Sequence, residues 1–164
     1  MEHAKTPALL TDAEFLEAVR LTPLISIDLI ASDEHGRVLV GERRHAPARG
    51  SWFVPGGRIR KDESLDAAFA RTVEDELGIA HAVRGDARFV GVFEHHYADE
   101  NFAAAPGIST HYIVLAYALA IAGDTPLTRF AQHHRYAWLL PDELRLREDV
   151  HAFTKAYFDR AQQP

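Results

Sequence analysis

With 164 residues, 47% hydrophobic and 26% charged, the chain has the size and composition of one globular domain with a full core. Its net charge of -6 argues against a broad nucleic-acid surface, and the absence of cysteine excludes disulfides and zinc–thiolate sites. No apolar run reaches the ~18 residues of a membrane span, and Met1-Glu2-His3 does not open a signal peptide. A cytoplasmic protein without membrane contact is expected. Residues 1–164 show no repeat or linker and read as a single domain.

Thr11-Asp12-Ala13-Glu14 has the form of a capping box and predicts a helix to about Leu21, which Pro23 ends. Residues 24–31 and 37–44 read as strands joined by the turn Asp33-Glu34-His35-Gly36. Trp52-Phe53-Val54 is a short strand entering the glycine turn Pro55-Gly56-Gly57. In the helix that follows, Leu65, Phe69, Val73 and Leu77 share one face at i, i+4 spacing, and Gly78 stops it. Residues 89–96 and 111–121 read as longer strands around a polar loop, with a further strand at 135–139 and a last helix at 150–160. Strands with a few interspersed helices predict an α+β fold.

Two features of this plan carry chemistry. Residues 43–61 contain no Asp or Glu but hold Arg43, Arg44, Arg49, Arg58, Arg60 and Lys61. A positive pocket in an acidic protein suits a small anionic ligand. Past the glycine turn, Arg71, Glu74, Asp75 and Glu76 crowd the last two turns of the helix. Any one of these carboxylates by itself is most simply the solvated face of an amphipathic helix. Together with a turn whose backbone can approach a phosphate, they suit metal-assisted cleavage of a diphosphate.

The stretch from Gly57 to Ile79 resembles the Nudix box, Gly-x5-Glu-x7-Arg-Glu-apolar-x-Glu-Glu-x-Gly-apolar. Gly57, Glu63, Arg71, Val73, Glu76, Gly78 and Ile79 fall in place, while Thr72 and Asp75 stand where the box has glutamates. Beyond the box, Thr22-Pro23-Leu24-Ile25-Ser26, Trp52 to Arg58, Thr110-His111-Tyr112 and Gln132-His133 are similar to the GDP-mannose mannosyl hydrolases of that superfamily.

This resemblance implies an α/β/α sandwich with a mixed sheet, and a homodimer. It implies Mg²⁺, replaceable by Mn²⁺, held by the Gly56 carbonyl, Glu76 and Gln132. It also implies His133 as general base, Arg43 and Arg58 against the departing diphosphate, Tyr112 as a hydroxyl that hydrogen-bonds it, and Asp28 as a supporting acid. The reaction would be attack of water on the anomeric carbon of GDP-mannose or GDP-glucose, with inversion. A Nudix pyrophosphatase attacking phosphorus, and an idle nucleotide-sensing module, are the alternatives. Phe15, Tyr97 and Phe102 are candidates to stack on guanine, although each is more often core. His95-His96 and His133-His134 suggest zinc, but neighbours on a strand face opposite ways. An ordinary imidazole pKa near 6.5 is expected for His133.

Overall fold

A computed structural model describes residues 9–127 and 133–159. α1 (Asp12–Leu21) begins where expected: the Thr11 side chain accepts from the Glu14 N–H, and the Glu14 carboxylate accepts from the Thr11 N–H at 2.8 Å. There follow β1 (Leu24–Ser32), β2 (Val38–Arg43), β3 (Trp52–Phe53), β4 (Gly56–Arg58) and α2 (Leu65–Leu77). A 3₁₀ turn then leads to β5 (Arg88–Tyr97), β6 (Thr110–Ala120), β7 (His133–Leu139), α3 (Pro141–Leu146) and α4 (Ala152–Ala156).

The strands form one mixed sheet in the order β3-β2-β1-β6-β5, with β4 added to β1 and β7 to β2. β1 runs parallel to β6 from Leu24↔Tyr112 to Ser32↔Ala120, and the other pairings are antiparallel. β1 is buried on both faces for most of its length, as its near-continuous apolar run requires of a central strand. It meets β2 only at Ser32↔Val38. Nearer its start, β4 takes that edge through Ser26↔Arg58, Ile27↔Gly57 and Asp28↔Gly56. The two halves of the sheet part there.

On one face α2 lays Phe69, Val73 and Leu77 against Ile27, Leu29, Ala31 and Leu39. Full burial of a side chain such as Phe69 contributes roughly 1.5–3 kcal/mol. On the other face Leu144 of α3, Val150 and Tyr157 pack with Ile30, Val40, Trp52 and Val54. The result is the α/β/α sandwich that was expected. Ser64 caps α2, and Gly78 ends it with φ 72, in the left-handed region that favours glycine.

Four local expectations are corrected. Gly56 and Gly57, read as part of a turn, lie in β4, because pairing with β1 overrides the low strand preference of glycine. β7 begins at His133 rather than 135. α3, with Pro141 in its first turn, was not anticipated. The last helix is shorter than 150–160, because Val150 instead bridges Trp52.

Candidate active site

Where β1 and β2 part, a cleft of about 320 Å³ is lined by Asp28, Arg43, Gly56, Arg58, Glu76, Tyr112 and His133. Every predicted site residue among the described ones therefore meets in one place, although they come from β1, β2, β4, α2, β6 and β7. Gln132 lies outside the described residues.

Strand register places His133. The β2–β7 pairing shifts between Gly41 and Arg43, which puts Arg43 opposite His133. A methyl group at Gly41 would overlap the His133 ring. The Arg44 Nε donates to the His133 carbonyl at 3.0 Å. His133 is buried while His134 is exposed. The His133 Nδ1 lies 3.6 Å from Glu76 Oε2 and 3.4 Å from the Tyr136 hydroxyl, so Nε2 is the ring nitrogen turned away from that pair. Burial, helped by the Arg43 charge, lowers the His133 pKa to about 4, well below the ordinary value expected from sequence. His133 is thus neutral at pH 7, as a proton acceptor must be. Burial and the neighbouring Asp75 push Glu76 up to about 8, with Arg43 opposing them.

Asp28 belongs to a buried chain of hydrogen bonds. The Tyr157 hydroxyl donates to Asp28 Oδ2 at 2.6 Å, and His95 Nε2 lies 3.3 Å from the same hydroxyl. With its single proton committed to Asp28, Tyr157 accepts from His95, which fixes the Nε2–H tautomer. Burial lowers His95 to about 4, so its ring is neutral. Burial also raises Asp28 to about 6, against the pull of Tyr157 and Arg43, so the carboxyl is ionised at pH 7. A Cβ on Gly56 would come 2.5 Å from Asp28 Oδ1 and 2.7 Å from the Ile27 carbonyl oxygen. Only glycine admits that approach. Tyr157 and His95 were missed as site residues: no local pattern marks a partner 129 positions from Asp28.

The basic stretch divides. Arg43, Arg58 and Arg60 line the cleft. Arg44 instead holds the His133 backbone, and Lys61 points outward beside Asp62. Arg71 and Glu63 clamp the segment: Arg71 donates to both Glu63 oxygens, at 2.5 and 2.8 Å, and to the Arg58 carbonyl at 2.8 Å. The Arg60 N–H adds a bond to Glu63. The Arg58 guanidinium stands 3.7 Å from the centroid of Phe15, which stacks on Phe102 at 4.8 Å. Phe15 and Tyr97 line the cleft.

Residues 22–161 match the model of the NUDIX domain. The chain belongs to the Nudix family. The low-salt glycan biosynthesis protein Agl8 of Haloferax volcanii is 34% identical over 148 residues, spanning 90% of this chain and 88% of the relative. Among solved structures, the MutT protein of Methanosarcina mazei superposes with a TM-score of 0.66 at 25% identity, covering 85% of this chain and 94% of that one. The NUDIX domain of Shewanella oneidensis NrtR, complexed with ADP ribose, superposes with a TM-score of 0.61 at 17% identity, over 90% and 96% of the two chains. That likeness shows the shared fold. The chain is thus a Nudix hydrolase, and Nudix hydrolases generally use divalent cations such as Mg²⁺.

The Nudix helix offers such a cation oxygen donors of unequal burial. Of its clustered carboxylates, Glu76 alone is buried; Asp75 lies at the cleft edge, 3.4 Å from Arg71. Burial works against ionisation of Glu76, which a cation would favour. One turn earlier, the Thr72 hydroxyl is buried without a hydrogen-bond partner among the described residues, an arrangement that costs about 1–3 kcal/mol. Oxygen donors, a buried carboxylate and an unsatisfied hydroxyl fit a hard, hydrated ion. Among the described residues no group of three or more His, Asp or Glu side chains is placed to hold a metal by side chains alone.

Proposed function

We propose that this Nudix hydrolase converts GDP-mannose, or its epimer GDP-glucose, to GDP and the free sugar by attack of water on the anomeric carbon. One observation carries the reading: a buried, neutral His133 shares the cleft with Arg43 and Arg58, while a single box carboxylate, Glu76, is buried there. Thr72, at a box glutamate position, offers no carboxylate for gathering several cations around phosphorus. The glycan-biosynthesis name of the Haloferax relative is in keeping with a sugar-bearing substrate.

His133 takes the proton of the attacking water, and its neutral state keeps it ready to do so. Arg43 and Arg58 face the diphosphate and offset the charge that grows on it as the bond to the sugar breaks. Tyr112, whose pKa burial raises, stays protonated and donates a hydrogen bond to the same group. Asp28, with Oδ2 fixed by Tyr157, presents Oδ1 as an acceptor for the bound substrate. Mg²⁺, or Mn²⁺ in its place, would be held by Glu76, the Gly56 carbonyl and Gln132; when bound it neutralises diphosphate charge. A nucleoside diphosphate leaves more readily than an alkoxide, so one base suffices. With Asp28 tied to Tyr157, Glu76 assigned to the cation and Asp75 held by Arg71 at the cleft edge, no carboxylate is assigned as a nucleophile to form a glycosyl-enzyme, and the configuration inverts. The family resemblance leads us to assign a homodimer as the working form.

Cleavage at phosphorus is the second reading, and Asp75 at the cleft edge favours it by adding a carboxylate. Incubation with GDP-mannose and Mg²⁺ in ¹⁸O-labelled water separates the two. Label in mannose with GDP as co-product supports the proposal. Label in phosphate with GMP as product sinks it.

A further inference from the structure

A threonine buried in a helix ordinarily spends its hydroxyl on the carbonyl four residues back. Thr72 does not. It is 1% exposed, and its Oγ1 has no hydrogen-bond partner among the described residues. Oγ1 and the Cγ2 methyl both face β4, each 3.3 Å from where a Cβ on Gly57 would stand. Thr72 lies four residues before Glu76, on the same face of α2, and both line the cleft with Gly56 and Gly57. The unsatisfied hydroxyl therefore borders the gap between the glycine strand and the one buried box carboxylate.

We propose that Thr72 is an outer-shell ligand of the divalent cation: its hydroxyl accepts a hydrogen bond from a water that the cation binds. The inference rests on the assignment of that cation to Glu76. A cation-bound water is a strong donor, and Mg²⁺ keeps several of its waters when protein carboxylates are few. Thr72 occupies a box position that otherwise carries glutamate. A neutral hydroxyl there holds the hydration shell without adding negative charge, so less charge gathers in the site while the shell stays oriented.

The test is titration of metal-free protein with Mn²⁺, read by electron paramagnetic resonance of the free ion, and needs no substrate. Thr72→Val conserves shape and removes only the hydroxyl. It should weaken Mn²⁺ binding about 10-fold, while the melting temperature of the metal-free protein stays level or rises. Thr72→Ser, which keeps the hydroxyl, should bind close to wild type. Unchanged Mn²⁺ affinity in Thr72→Val, or Thr72→Ser as weak as Thr72→Val, overturns the proposal. A wild type that binds no Mn²⁺ overturns the cation assignment and this inference with it. Failure to hydrolyse GDP-mannose, with the Mn²⁺ pattern as expected, overturns the substrate reading alone.

Discussion

The Tyr157 hydroxyl, just beyond α4, donates to Asp28 Oδ2 on the central strand at 2.6 Å, across 129 positions of sequence. Both residues are buried, at 3% and 9% exposure, so water offers little substitute. The bond ties the end of the domain to a carboxylate in the cleft, and it stabilises the charged form of Asp28. A hydrogen bond to a charged group is worth ~1.5–3 kcal/mol. Tyr157→Phe should cost about that much at pH 8, where Asp28 is ionised. At pH 5, below the Asp28 pKa of about 6, the carboxyl is mostly protonated and the cost should shrink. Urea denaturation of both proteins at the two pH values measures this; an equal loss at both contradicts the charged-acceptor role.

His133 and His134 are neighbours with opposite fates, one buried in the cleft and one exposed. His133→Gln should lower kcat by ~10²–10⁴, the usual worth of a general base, with GDP still bound. His134→Gln should stay within a few-fold of wild type. Steady-state kinetics on GDP-mannose and GDP binding by calorimetry decide it. Loss carried by His134 instead would reassign the base.

His95 gives the stability a pH dependence. Its folded pKa of about 4 lies below the ordinary 6.5, so the unfolded chain binds the proton more tightly. Its contribution is whole above pH 6.5 and is lost as pH falls from there toward 4. By pH 5 that loss amounts to roughly 2 kcal/mol. His95→Gln should lose correspondingly less between pH 7.5 and 5 than the wild type. Urea midpoints measured across that range test it, and parallel curves for the two proteins would rule it out.

Glu76→Gln should separate binding from folding. Burial raises the Glu76 pKa to about 8, so without a cation the folded state disfavours its charge, and that penalty grows as pH rises from 4.5 through 8. The neutral amide removes the penalty. Metal-free Glu76→Gln should therefore melt at or above the wild type at pH 8.5, while Mn²⁺ binding and kcat collapse. A variant that keeps near-wild-type rates at saturating metal would show that Glu76 is no ligand.

The sequence by itself determined the box helix, its stop at Gly78 and the first strand, because each depends on local spacing and backbone preference. Fixed offsets in the box also pointed to Glu76, and the family resemblance pointed to Asp28, Arg43, Arg58, Tyr112 and His133. Only the tertiary structure decided what these residues are to one another. A register shift in β2 sets Arg43 opposite His133, and β4 replaces β2 beside β1, opening the cleft. Burial, not residue type, turned His133 from an ordinary imidazole into one neutral far below pH 7, and left Glu76 as the buried carboxylate of its cluster. Tyr157 had no signal at all, since its role exists only once the chain has returned to Asp28. Periodicity along a chain records which way a side chain faces; it carries no information on which distant strand or helix will face it, and desolvation follows from that encounter.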